Sequence, residues 1–415
     1  MRPVRVTGLS GSGVKDTNLW RDNKFERLCY IGMVFVFYVN TGKEMRNNLK
    51  YYELLSEEMK ATLSKAGFTE PTPIQQKTLE LIVNGWDIMG IAQTGTGKTA
   101  AFAVPIIEKT LLNNAKTQTL VLCPTRELAL QITGVFRTLS AHKKLRIVSV
   151  YGGQAASVQI RALRAGAQIV VGTPGRVKDL IGRNVLKLQN IRTVVLDEAD
   201  EMLSFGFLPD IRAILSNVRN EHQTLLFSAT MNKAVSAIVK EFQTDAVRIE
   251  IGERNEPAAT VRQSYLSVGS RNKCKAVQHL IDKQHPRLAL VFCNTKRQVK
   301  TVQRMLSEQG LPAGCLHGDL SQNQRDNEMN AFRNGKTNVM VATDVAARGI
   351  DVREIDLVIN YDIPDKMEYY VHRIGRTGRA GDAGRACTLV SPMDTGRITE
   401  IERHFRVTIT EEQAV

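Results

Sequence analysis

The stretch Asp87-Ile-Met-Gly-Ile-Ala-Gln-Thr-Gly-Thr-Gly-Lys-Thr99 (DIMGIAQTGTGKT) decides how the rest of the chain is read. Its first half is a short apolar run without polar alternation, the pattern of a strand buried on both faces. Its second half is a glycine-rich loop that opens a helix. Such a loop, here Ala92, Gln93, Thr94, Gly95, Thr96 and Gly97, wraps backbone N–H groups around a pyrophosphate at the positive end of the helix. Lys98 then reaches the β- and γ-phosphates, and the Thr99 hydroxyl ligates Mg²⁺. The cofactors implied are ATP and Mg²⁺.

Working outward, the strand pattern recurs at 119–124, 146–153, 168–174, 193–200 and 224–230, with amphipathic segments between. A polar break at 253–260 follows, and a second series runs at 288–295, 314–319, 338–344, 357–364 and 386–392. In the second series, Ser321 and Gly335 punctuate a helix as N-cap and stop. The fold class expected is α/β, two tandem domains, each a mostly parallel sheet flanked by helices. The first domain takes 45–252, the linker 253–260 and the second domain 261–415. Ligands of such sheets bind beyond the carboxyl ends of the strands.

Those strand ends carry the chemistry. Asp197, just past an apolar strand in VVLDEAD, is placed to hold Mg²⁺, and Glu198 to orient and deprotonate the attacking water. The hydroxyls of Ser228 and Thr230 end another strand and are candidates to bond the acidic cluster. Upstream, Gln75 in GFTEPTPIQ suits an adenine edge, since an amide donates and accepts together, and Phe68 helps to enclose the ring. The second half has no phosphate loop, so one nucleotide must serve both domains. The HRIGRTGR stretch (372–379) supplies always-charged, fork-shaped donors for the phosphoryl group, with Arg376 and Arg379 chosen. Asp351 is placed at the ribose hydroxyls.

Composition sets the partner. With 56 Lys+Arg against 42 Asp+Glu, the net charge is +14, which favours a polyanion such as nucleic acid. The six cysteines form no C-x-x-C pair, which argues against a disulfide framework or zinc site and fits a reducing, cytoplasmic setting. Residues 1–44 stand outside the pattern and are expected to be a disordered or artefactual extension, with Met45 an alternative start. The apolar run Leu28–Val39 in that segment is too short to cross a bilayer, so no membrane association is expected.

From about residue 50 to 410 the ordered motifs GFTEPTPIQ, AQTGTGKT, PTREL, GG, TPGR, DEAD, SAT, VFCNT, HGDLSQNQRD, ATDVAARGID and HRIGRTGR resemble those of a DEAD-box RNA helicase. The resemblance implies two RecA-like domains and RNA-stimulated ATP hydrolysis that melts short duplexes. It also implies that Asp200, Ser228, Thr230 and His372 couple hydrolysis to strand separation. It assigns RNA phosphates to Pro124, Thr125, Arg126, Gly152, Gly153, Thr173, Gly175 and Arg176 in the first domain. In the second domain it assigns them to Gln324, Arg325, Thr343 and Arg348. Contacts of this type, through backbone N–H groups, hydroxyls and arginines, carry no sequence code. A monomeric core is expected, with partner proteins supplying substrate selectivity. An ATP-gated RNA clamp with little turnover would use the same residues, and a DNA translocase is a third reading.

Overall fold

The computed structural model describes residues 28–31, 34–37, 51–93, 95–251, 261–347, 355–378 and 383–412. The strands of the first sheet are β1 (Leu28–Ile31), β2 (Val34–Phe37), β3 (Ile88–Ile91), β4 (Thr119–Leu122), β5 (Ile147–Val150), β6 (Ile169–Gly172), β7 (Thr193–Leu196), β8 (Gln223–Ser228) and β9 (Val247–Glu250). Their order is β1-β2-β9-β3-β8-β7-β4-β6-β5. Only the β1–β2 pairing is antiparallel, and this short hairpin of the N-terminal extension joins the sheet edge through Val36 beside Arg248 of β9.

The second sheet comprises β10 (Val261–Ser267), β11 (Ala289–Cys293), β12 (Ala313–Leu316), β13 (Val339–Thr343), β14 (Leu357–Asn360), β15 (Gly384–Val390) and β16 (Thr410–Glu412). It is parallel throughout, in the order β12-β13-β11-β14-β15-β10-β16. The expected α/β architecture of two mostly parallel, helix-flanked sheets is what is found. The linker assigned to 253–260 lies outside the described residues.

Strands β3, β4, β6, β7, β8 and β11 are buried along their whole length, which is why their sequences are mostly apolar, with polar residues only at strand ends. Helix Lys98–Lys109, which starts at the phosphate loop, is buried from Ala100 to Ile107. Its Phe102 packs against Phe136 and Phe227 at ring separations of 6.1 and 5.4 Å. The contact fixes the loop relative to the central strands, because Phe227 belongs to β8 and β8 pairs with β3.

Gly90 makes that packing possible. A Cβ there would fall 2.6 Å from Phe227 Cδ1, a distance that forces the ring or the strand to move. We predict that Gly90→Ala destabilises the first domain by about 1–3 kcal/mol through overpacking. The check is the urea unfolding midpoint of that domain.

Candidate active site between the two domains

The phosphate loop leaves β3 with Ala92 N donating to Ser228 O at 3.1 Å. Gly95 and Gly97 both have φ 88°, the left-handed region that favours glycine. Thr96 Oγ1 donates to Gln93 O at 2.8 Å, and the buried Lys98 donates through Nζ to Ala92 O at 2.5 Å. Gly97 sits directly on the upstream segment, since a Cβ there would lie 2.6 Å from Gln75 Nε2. Both ends of the Gln75 amide are engaged by the chain itself. Nε2 donates to Gly97 O at 3.2 Å and Oε1 accepts from Thr72 N at 3.1 Å. Phe68, partly buried, packs against the core beneath the loop.

Asp197 follows β7, is 3% exposed and accepts from Glu198 N at 3.0 Å. Burial pushes its carboxyl up to about 7 against the opposing charge of Lys98. Glu198 has φ 51°, ψ 53°, a left-handed conformation unusual for a side-chain-bearing residue. Burial raises its pKa too, while Arg376 and then Lys98 pull it back. Arg376 of the second domain is buried, and its positive charge acts on Glu198 of the first.

The neighbouring acids face other partners. Asp200 Oδ2 accepts from both N and Oγ1 of Thr230, at 2.9 and 2.8 Å. Ser228 Oγ donates instead to Thr230 O at 2.7 Å. His372 of the second domain lies 3.0 Å from Glu201 Oε1. A cavity of ≈ 490 Å³ adjoins this cluster, walled by Asp200, Glu201 and Thr230 on one side and by Lys366, Tyr369 and His372 on the other.

The arginines of HRIGRTGR divide. Arg373 is 1% exposed and forks onto Asp344, with Nε at 2.6 Å and Nη2 at 2.7 Å. It also bonds Asn294 Oδ1 at 2.7 Å and Asp362 O at 2.6 Å, and stacks over Phe292. It pins the ends of β11, β13 and β14 together, which leaves Arg376 to face the first domain. Sequence reasoning passed over Arg373, Asp344 and Glu201. Thr94, Arg348, Asp351 and Arg379 lie outside the described residues, and Thr99 is partly buried in the first turn after the loop.

The first-domain residues assigned to RNA gather at the ends of β4, β5 and β6, which are neighbours at one side of the sheet. Gly152, Gly153 and Gly175 are exposed there, and Thr173 caps a helix start without spending its side chain on the cap. Pro124 is buried, and Thr125 Oγ1 accepts from Leu128 N as an N-cap. Arg176 is held by Gln154 O at 3.2 Å and Gln159 Oε1 at 3.0 Å. Arg126, stacked on Tyr151, donates to Asp326 at 2.8 Å, and Arg325 donates to Glu127 at 3.0 Å and to Ala346 O. These two pairs cross between the domains with reversed polarity. Gln324 closes a capping box with Ser321, and Thr343 Oγ1 accepts from Ala346 N at 3.3 Å.

Residues 72–238 match the DEAD/DEAH box helicase family and residues 272–381 the helicase conserved C-terminal domain. The chain is 46% identical over 349 residues to the DEAD-box ATP-dependent RNA helicase CshA of Geobacillus kaustophilus, spanning 84% of this chain and 75% of the relative. It is 45% identical to CshA of Bacillus subtilis, spanning 85% of this chain and 71% of that one. The chain belongs to the DEAD-box ATP-dependent RNA helicases.

Among solved structures, Saccharomyces cerevisiae Dbp5 bound to RNA and ADP BeF3 is similar with a TM-score of 0.80 at 30% identity, covering 88% of this chain and 95% of that one. A DEAD box protein from Methanococcus jannaschii shares 41% identity over 86% of this chain and 97% of its own, yet gives only 0.51. The chain thus superposes better on the RNA- and nucleotide-bound neighbour, despite the lower identity.

Two predictions follow from the geometry. Arg373→Ala leaves Asp344 with its bidentate partner removed, so the second domain should lose about 3–5 kcal/mol, read from its urea unfolding. A double-mutant cycle on Glu127→Gln and Arg325→Gln should give a coupling of about 0.5–3 kcal/mol in RNA binding measured with an ATP analogue. That coupling should vanish when nucleotide is omitted.

Proposed function

We propose that this enzyme hydrolyses ATP between its two domains and uses the closed arrangement to grip and locally melt short RNA duplexes. The observation that carries the reading is the acidic turn of the first domain meeting the second, with His372 Nδ1 3.0 Å from Glu201 Oε1 and the charge of the buried Arg376 acting on Glu198, since only closure completes such a site. Glu198 then acts as the base that accepts a proton from the attacking water. Arg376 faces the charge developing on the transferred phosphoryl group. Lys98 holds the β- and γ-phosphates once the ligand displaces its bond to Ala92 O.

Mg²⁺ fits the donor set: a buried carboxylate at Asp197, whose pKa burial raises, with the Thr99 hydroxyl on the adjoining loop. Hard oxygen donors of this kind, completed by phosphate oxygens, suit magnesium, which would neutralise phosphate charge there. The Thr230–Asp200 bond joins the end of β8 to the acidic turn and supports a coupling role for Thr230, Asp200 and His372. Exposed glycines and helix starts at the ends of β4, β5 and β6 support backbone readout of RNA. Among the described residues no helix is long and apolar enough to cross a membrane, and a cytoplasmic site of action is proposed.

Glu198→Gln should retain ATP-dependent RNA binding while steady-state phosphate release drops to background. An unchanged ATPase rate would remove Glu198 from the role of base. Arg376→Ala should lower kcat by roughly 10³–10⁵ and leave RNA affinity without nucleotide nearly unchanged.

A further inference from the structure

Between Glu127 and Asp179 the chain carries no acidic residue and eight Lys or Arg. The segment builds the β5 edge of the first domain: helix Arg126–Leu139 on one side of the sheet, the edge strand β5 itself, and helix Ala156–Arg164 on the other side. Three of the eight are spoken for. Lys143 donates to Ile107 O and Glu108 O, Arg176 lies near Asp179, and Lys178 pairs with Asp210. Arg137, Lys144, Arg146, Arg161 and Arg164 are exposed and join no ion pair among the described residues.

These five converge. Arg137 donates to Ile147 O at the start of β5, and Arg146, one residue earlier, donates to Ala165 O just past Arg164. The cations of two helices and a strand thus meet at the lower end of β5. The upper end of β5 leads into the exposed Gly152 and Gly153. Ser157, Arg161 and Arg164 lie on one exposed face of the helix that runs back down. As β5 is four residues long, about 13 Å at 3.3 Å per residue, a single strand continuing past the glycine loop reaches the cluster.

We propose that this acid-free face is a second RNA-binding surface, which takes the phosphates of RNA flanking the segment held between the domains. It rests on the reading that the chain binds RNA. Guarding the open edge of β5 with charge would explain Arg146, but Arg161 and Arg164 stand on a helix and guard no edge. The basic helix Lys296–Glu308 offers a contrast. There Asp319 takes Lys296 and Lys300, and Glu308 lies 3.7 Å from Arg304. Cations left unanswered over a whole face suit an external polyanion, and the sequence-blind phosphate chain of RNA is the one this enzyme meets.

The test replaces Lys144, Arg161 and Arg164 together by Gln, with Arg271, Lys275 and Lys336 replaced together as a charge-matched control. Binding of a long single-stranded RNA and of an oligonucleotide just long enough for the interdomain track is followed against salt. Three lost phosphate contacts should make the slope of log K against log salt shallower by about 2 for the long RNA. The affinity should fall on the order of tenfold at physiological salt. The short oligonucleotide and the RNA-saturated ATPase rate should be unchanged, which also reports that the variant is folded. An unchanged slope, or an equal loss in the control, overturns the proposal. So does a variant that loses polyglutamate binding but keeps long RNA, which would make the face a dock for acidic protein. Failure of the parent protein to bind either RNA would instead refute the reading of the interdomain track.

Discussion

Asp197, Glu198, Asp200 and Glu201 crowd four carboxylates into five consecutive residues after β7, and three of the four are buried. Like charges so close in a low-dielectric setting repel strongly unless each is answered. Here each has its own respondent: Lys98 for Asp197, Arg376 for Glu198, Thr230 for Asp200 and His372 for Glu201. Two respondents come from the same domain and two from the other. The acidic turn is therefore fully compensated only when the second domain is in place, which makes the interdomain arrangement a condition of the site rather than a backdrop to it.

The order of the first sheet extends this constraint to RNA. Strands β3, β8 and β7 are consecutive and carry the phosphate loop, Thr230 and the acidic turn. Strands β4, β6 and β5 form the other half and carry the loops assigned to RNA. Cross-domain pairs stand at both halves: Arg376 and His372 at the first, Arg325 and Asp326 at the second. A ligand that favours closure at one half brings the contacts of the other half into register. Each ligand must then raise the affinity for its counterpart by the same factor. No rearrangement inside either domain is needed.

Much of this was legible in the sequence because strands buried on both faces carry apolar runs whose few polar residues stand at the ends. Strands β9 and β10 were missed because they alternate buried and partly exposed residues near the sheet edges. The arginines of HRIGRTGR divide for a geometric reason. Arg373 is on the helix Met367–Ile374 and Arg376 lies beyond its end, so equal spacing does not place them on one face. The acid that claims Arg373 is Asp344, distant in sequence. The glutamines hold a signal that was present and unread. Thr72-x-x-Gln75 and Ser321-x-x-Gln324 both have capping-box spacing; the second box forms in full, and in the first Gln75 Oε1 accepts from Thr72 N. Gln75 and Gln324 were assigned to ligands, yet each spends its side-chain oxygen on the start of its own helix.

The left-handed Glu198 explains how the acidic turn divides its attention. A non-glycine residue in that conformation costs roughly 1–2 kcal/mol, yet it converts strand into helix with no intervening loop. β7 ends at Leu196 and helix Ala199–Ser204 begins after only two intervening residues. Asp197 and Glu198 are left at the strand end, toward the phosphate loop and Arg376. Asp200 and Glu201 start the helix and turn toward Thr230 and His372. A longer, unstrained connection would set the two pairs apart and break the direct link between the groups that meet the nucleotide and those that meet the second domain. The strain is thus the local cost of holding chemistry and closure on adjacent residues, and the packing of the buried Ala199 and Met202 beneath the turn sustains it.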